Sequence, residues 1–228
     1  MVDSIYLVRF LFYLYTRIQQ TTNPVIMRQF RCYYRMMALL VALITALEAM
    51  CFDFQADGIY YSINADGATV SVAAPTYSWQ YKDAVTIPSG VAYNGATYTV
   101  VAVGDKAFHS CTSLASVELP ASITAIGANA FGRDYNLKSV NIPDGVTTIG
   151  ESAFEGDRNL TSVSLGSRLS SIGENAFNGC SGLTSIMVDE DNTVYDSREG
   201  CNTLIETASG RLLMGCNTLA IMPFSAVA

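Results

Sequence analysis

Six cysteines, one histidine and twenty carboxylic acids are the residues of this 228-residue chain whose types could carry chemistry. Their spacing assembles little of it. With His109 as the sole imidazole and Cys111 beside it, no Ser/His/Asp or Cys/His set can be drawn. The cysteines, at 32, 51, 111, 180, 201 and 216, match no zinc spacing. The acids of "DEDNTVYDSREG" (Asp189, Glu190, Asp191, Asp196) lack the EF-hand pattern, which leaves a calcium loop or a solvated acidic loop. No carboxylate pair is marked by an apolar pocket pattern, and the glycines are not grouped as a phosphate loop requires. No catalytic residue, metal or cofactor is therefore expected.

What positions these residues is a repeat. Phe108, Phe131, Phe154 and Phe177 recur at a step of 23 residues. So do Ala107/130/153/176, Gly104/127/150/173, Leu114/137/160/183 and Ser116/139/162/185. β-Branched columns run through Val103, Ile126, Ile149 and Ile172, and through Val117, Val140, Val163 and Ile186. A third apolar column holds Leu119, Ile142, Leu165 and Val188. A period in the twenties marks a solenoid, in which each coil buries its apolar side against its neighbours. Within one unit, "SVNIP" (139–143) alternates as a half-buried strand, and Pro143–Gly145 turns the chain. "VTTIG" (146–150) is extended but bent, because Val146 and Ile149 stand three apart. Gly150 is read as permitting a backbone turn. "ESAFEG" (151–156) is read as one helical turn that points Ala153 and Phe154 inward. The expected fold class is a mainly β repeat solenoid: short parallel strands, turns, single helical turns and a β-rich N-terminal cap.

The pattern L-x-S-V-x-L-P-x-x-V-T-x-I-G-x-x-A-F-x-x-C over residues 103–188 resembles the BspA-like (treponemal-type) bacterial leucine-rich repeat. The strand-ending L-x-x-N of the common leucine-rich repeat is absent. "CFDFQADGIYYSI" (51–63) is similar to the family's segment after its signal peptide, and residues 188–216 are similar to its hairpin-bearing coil. The resemblance implies an exported surface protein that adheres to a protein or glycan on host or neighbouring cells. It also implies a further repeat after "NTLAIMPFSAVA" (217–228), so the chain looks truncated at Ala228. The competing reading is a noncatalytic structural or truncated module without binding activity of its own.

The flanks follow. Residues 51–102 are expected to cap the first coil, with turns at Asp66-Gly67 and Asn94-Gly95; "AVTIPSG" (84–90) resembles half a repeat. The aromatic group at 76–81, with Trp79, is either core or a ligand surface. Residues 189–228 are expected to hold a hairpin around Ser209-Gly210 and a partial coil. Cys111 and Cys180 share one repeat position three coils apart, about 14 Å at the strand spacing. A disulfide spans at most about 7 Å between Cα atoms, so they are packing residues. Cys201 and Cys216 could face each other across the hairpin, as a bridge or as two free thiols. His109 sits where other copies have Gly132, Glu155 and Asn178, and is expected to be exposed and inert.

The candidate binding face is the outward side of the strand ladder: Ser116, Ser139, Ser162 and Ser185, with Glu118, Asn141, Ser164 and Met187. It is small and mostly neutral, and it lacks the aromatic and Arg anchors of a hot spot. Nucleic acid is not an expected partner, because the charge is −7 overall. Residues 1–50 hold five Arg against two acids, +3, which leaves −10 for residues 51–228.

Residues 36–47, "MMALLVALITAL", form a 12-residue apolar run behind Arg28, Arg31 and Arg35. A membrane span needs about 20 apolar residues, so this is read as a signal-peptide core. The apolar patch 5–15, broken by Arg9, precedes it, which places the expected start at Met27, Met36 or Met37. The alternative is an N-terminal membrane anchor. Sequencing of the exported protein is expected to begin near residues 48–51; a stable product beginning at Met1 contradicts the signal reading.

Overall fold

The computed structural model describes residues 52–77, 81–197 and 203–215, all within the unit Cys51–Ala228. The run 36–47 read as a signal core, the patch at 5–15, Cys32, Cys51, Trp79, Cys201, Cys216 and residues 217–228 lie outside the described residues.

The N-terminal strands are β1 (Phe54–Ala56), β2 (Ile59–Ile63), β3 (Thr69–Val72), β4 (Lys82–Thr86), β5 (Gly90–Tyr93) and β6 (Ala96–Val103). β1, β2 and β3 form an antiparallel meander, turning at Asp57-Gly58 and at Asn64–Gly67. β5 and β6 form a hairpin in which Asn94 and Gly95 both have positive φ, 48° and 80°. That is the two-residue turn whose twist suits a hairpin. β3 then pairs parallel with β6, which joins the cap to the first coil.

The coils contribute two ladders. One holds β9 (Ser139–Asn141), β11 (Ser162–Leu165) and β13 (Ser185–Val188); β7 (Ser113–Glu118), the corresponding strand of the first coil, lies beside β9 but pairs with β4 instead. The other holds the two-residue strands β8 (Ala125–Ile126), β10 (Thr148–Ile149) and β12 (Ser171–Ile172), which extend the sheet of β6. Pairing is parallel and in repeat register: Ser139 opposes Ser162 and Ser162 opposes Ser185, while Ile126, Ile149 and Ile172 align in the second ladder. β4 pairs parallel with β7, Val85 opposite Val117, so "AVTIPSG" supplies the strand of a preceding half-coil. The chain then enters a three-stranded antiparallel sheet of β14 (Tyr195–Asp196), β15 (Thr203–Glu206) and β16 (Arg211–Gly215), the last two joined through Ser209-Gly210.

The core is the stack of repeat columns. Phe108, Phe131 and Phe154 are fully buried, as are Leu114, Leu137 and Leu160. The four Phe rings lie at 5.1, 5.0 and 5.1 Å between centroids, tilted by 6° or less. Tyr81 closes the N-terminal end of the stack, 4.7 Å from Phe108, and its hydroxyl accepts the N–H of Tyr60 at 3.1 Å.

Two expectations need correction. The segment around each Phe is not a helical turn; among the described residues there is no helix. It is a run of turns with two left-handed positions per coil. The first is Lys106, Asn129, Ser152 and Asn175 (φ 53–56°); the second is Ser110, Arg133, Gly156 and Gly179 (φ 60–81°). The alternation turns every second N–H towards the next coil. Phe108 N–H donates to Ala130 O at 2.7 Å, Phe131 to Ala153 at 2.8 Å and Phe154 to Ala176 at 2.7 Å. Intervening N–H groups bond within the corner, as Cys111 does to Phe108 O. A helix would direct every N–H back along its own chain and leave none for the neighbouring coil.

The glycine column also has a different cause from the one expected. Gly127, Gly150 and Gly173 do not have positive φ; their backbones touch the adjacent coil. A Cβ on Gly150 would lie 2.6 Å from Ala128 N and from Gly127 C. No rotamer relieves a clash with backbone, so the coil would have to move away from its neighbour.

Two substitutions of opposite sense test this. Gly150→Ala is expected to destabilise the fold by about 2–3 kcal/mol or more through overpacking. Arg133→Gly, at an exposed left-handed position, is expected to stabilise it by about 0.5–1 kcal/mol, the left-handed penalty outweighing glycine's entropy. Denaturant unfolding measures both; effects of the same sign contradict the assignment.

Candidate functional site

The ladder face is built by strand alternation. Val117, Val140, Val163 and Ile186 point into the core, and the residues on either side of them point out. Ser116, Glu118, Ser139, Asn141 and Met187 are exposed, whereas Ser162, Ser164 and Ser185 are half-buried. The face is therefore more open over β7 and β9 than the alternation alone implies. It also extends onto β4, where Ala84 opposes Ser116 and Thr86 donates to Glu118 Oε2 at 3.0 Å. Nothing in the four-copy columns pointed to β4, because its copy is only half a repeat.

The polar ladders divide into two kinds. Thr124, Thr147 and Ser170 each donate a hydroxyl to a carbonyl of the preceding coil, at 3.1–3.2 Å. Thr161 and Thr184 do the same, as do the amides of Asn136 and Asn159. These side chains staple coil to coil. The hydroxyls of Ser116, Ser139, Ser162 and Ser185 make no such bond among the described residues. Ser139, Ser162 and Ser185 form an in-register row of donor-acceptor groups at the strand spacing, about 4.8 Å, and Ser116 holds the equivalent position on β7, opposite Ala84 of β4.

The residues that looked chemical lie elsewhere. Cys111, Asp134, Asp157 and Cys180 form one buried column on the inner side of the corners. Each caps the coil before it. Cys111 N–H donates to Asp134 Oδ1 at 2.6 Å, and Asp134 N–H donates to Asp157 Oδ1 at 2.7 Å. Cys111 and Cys180 are unpaired thiols, and the Cys180 thiol donates to Phe154 O at 3.0 Å. Burial pushes both thiols well above the ordinary range, Cys180 to about 12. Such groups are poor nucleophiles at neutral pH. The sequence displayed Asp134 and Asp157 only as variants of a packing position; that they are fully buried follows from the corner geometry.

His109 is half-buried rather than exposed, with Nδ1 3.0 Å from Ser110 Oγ. Burial lowers its pKa, and the cations Arg133 and Lys106 lower it further. A histidine that activates a serine is held by a carboxylate; this one faces positive charge. In the acidic loop, Asp189 Oδ1 accepts the N–H of Asp191 at 3.0 Å. Asn192 is buried and clips the loop to the previous coil, donating to Gly166 O and Leu169 O. Among the described residues no three His, Cys, Asp or Glu groups converge as a metal site. Of the aromatic group, Tyr81 is core and Tyr77 is 57% exposed. The proposed Cys201–Cys216 bridge lies outside the described residues.

Residues 96–208 match the BspA type leucine rich repeat region in six copies. A leucine-rich repeat protein from Bacteroides ovatus is 33% identical, with a TM-score of 0.52 over 61% of this chain and 38% of that one. The chain thus spans well under half the length of that relative. A leucine-rich repeat protein from Bacteroides capillosus shares the fold at 22% identity and a TM-score of 0.52, over 60% of this chain and 97% of that one. No curated protein matches the chain. The in-register coils, the phenylalanine stack and the match over 96–208 place this chain in the BspA-type leucine-rich repeat family.

Proposed function

We propose that this protein is an exported, cell-surface interaction module that binds a protein or glycan ligand through the outward face of strands β7, β9, β11 and β13, and that it has no catalytic role. One observation supports the face above the others. Thr124, Thr147, Thr161, Ser170 and Thr184 staple coil to coil through their hydroxyls, yet the hydroxyls of Ser116, Ser139, Ser162 and Ser185 make no hydrogen bond among the described residues. Solenoids present such regular faces to partners. The flanking Glu118 and Asn141 add an acceptor and an amide, and Met187, 55% exposed, adds an apolar contact at one end. The row also permits close stacking, since serine is small; that role and binding are compatible. Membrane attachment enters this reading only through a signal or anchor segment.

The test is a panel of matrix proteins and glycans presented to wild type and to Ser139→Arg/Ser162→Arg. Binding is expected to be saturable and to weaken by about tenfold or more in the variant, with the melting temperature unchanged within a few degrees. Binding that survives the substitutions moves the site off this face. No binding by wild type to any of the panel favours the structural-module reading.

A further inference from the structure

The corner column holds two carboxyl groups whose burial is not explained by packing alone. Asp134 and Asp157 are 0% exposed and stand one coil apart. In each, Oδ1 accepts a backbone N–H from the preceding coil, while Oδ2 is buried with no partner. The titratable groups that face them are each other and the two thiols of the column, Cys111 before Asp134 and Cys180 after Asp157. Neither carboxyl has a cation at ion-pair distance among the described residues. A charge there would be desolvated with only backbone N–H groups to compensate it, and two charges would repel across one coil step.

We propose that Asp134 and Asp157 keep their protons at neutral pH and act as an alkali-sensitive lock between coils, which holds the stack closed when protonated and forces it apart when ionised. The lock sits mid-solenoid, beneath Phe131 and Phe154, so ionisation opens the repeat at its centre rather than at an end. Burial lifts Asp134 to about 9, with Asp157 adding repulsion, and lifts Asp157 to about 8; the backbone hydrogen bonds oppose this more weakly. In the unfolded chain both ionise near the ordinary 3.8. Between that pH and about 8–9 the folded chain therefore binds more protons than the unfolded one. The stabilisation is complete below the unfolded value and is lost as pH rises through the folded values.

Thermal melts of the full chain under reducing conditions, from about pH 4 to about pH 10, test the lock against Asp134→Asn/Asp157→Asn. Asparagine keeps the accepting oxygen and cannot ionise. The variant is expected to melt several degrees above wild type near pH 9 and to lose that advantage as the pH falls towards 4. A difference that is constant with pH, or a wild type that gains on the variant as pH rises, overturns the proposal. If the asparagine variant does not fold, Asp134→Cys/Asp157→Cys replaces it, because the column already accommodates Cys111 and Cys180. Infrared spectroscopy of wild type gives a direct reading without any variant. A protonated-carboxyl carbonyl band present near pH 7 and lost by about pH 10 supports the lock; its absence near pH 7 overturns it.

Discussion

The step from one coil to the next, about 5 Å, is the constraint on which the rest of this molecule depends. The phenylalanine centroids hold it at 5.0–5.1 Å, and the strand ladders require much the same spacing. Aromatic rings that are nearly parallel at this distance contribute roughly 0.5–1.5 kcal/mol per pair beyond their burial. The glycine column makes the approach possible, because a methyl group at Gly150 would collide with the backbone of the previous coil. The corner turns then direct alternate N–H groups across the same gap. Ring, backbone and hydrogen bond thus all specify one spacing, and agreement across levels is what makes a repeat sequence choose a single structure.

The same constraint sorts the polar residues. Thr124, Thr147, Thr161 and Thr184 sit where a carbonyl of the preceding coil lies within reach, so their hydroxyls are engaged internally. The serine row sits on strands that each pair in parallel with a neighbouring strand, and its hydroxyls make no hydrogen bond among the described residues. On the inner side, the corner position must cap an N–H of the previous coil, and either an aspartate oxygen or a cysteine sulfur fits there. Those aspartates are structural caps first; their proton affinity is a consequence of where the cap must lie.

Much of this was legible in the sequence. The columns identified the core, since Phe154, Ala153 and Leu160 are all fully buried. The hairpins at Asp66-Gly67, Asn94-Gly95 and Ser209-Gly210 form where turn chemistry placed them. The corner was not legible, because a six-residue segment with inward Ala and Phe fits a helical turn and a pair of left-handed turns equally well. Only the neighbouring coil, which must receive N–H groups from Phe108, Phe131 and Phe154, decides between them. The reason for Gly127, Gly150 and Gly173 was hidden for the same cause: backbone proximity between coils leaves no mark in one coil's own residues. Asp134 and Asp157 were visible only as variants of the packing position of Cys111 and Cys180; that both are fully buried became clear only from the inward-facing column.

The central claim is that the coils are interchangeable units held by a shared phase, with β8, β10 and β12 in matching register. The most direct test is to delete residues 127–149, one full repeat, and compare that chain with one lacking 127–148 by circular dichroism and thermal melting. In the first, Ile126 joins Gly150 as it joins Gly127 in the intact chain, so a folded, cooperative β solenoid with a lower melting temperature is expected. In the second, every later side chain is out of phase, and the fold should be lost. Loss of structure in both, or equal stability in both, would contradict the account.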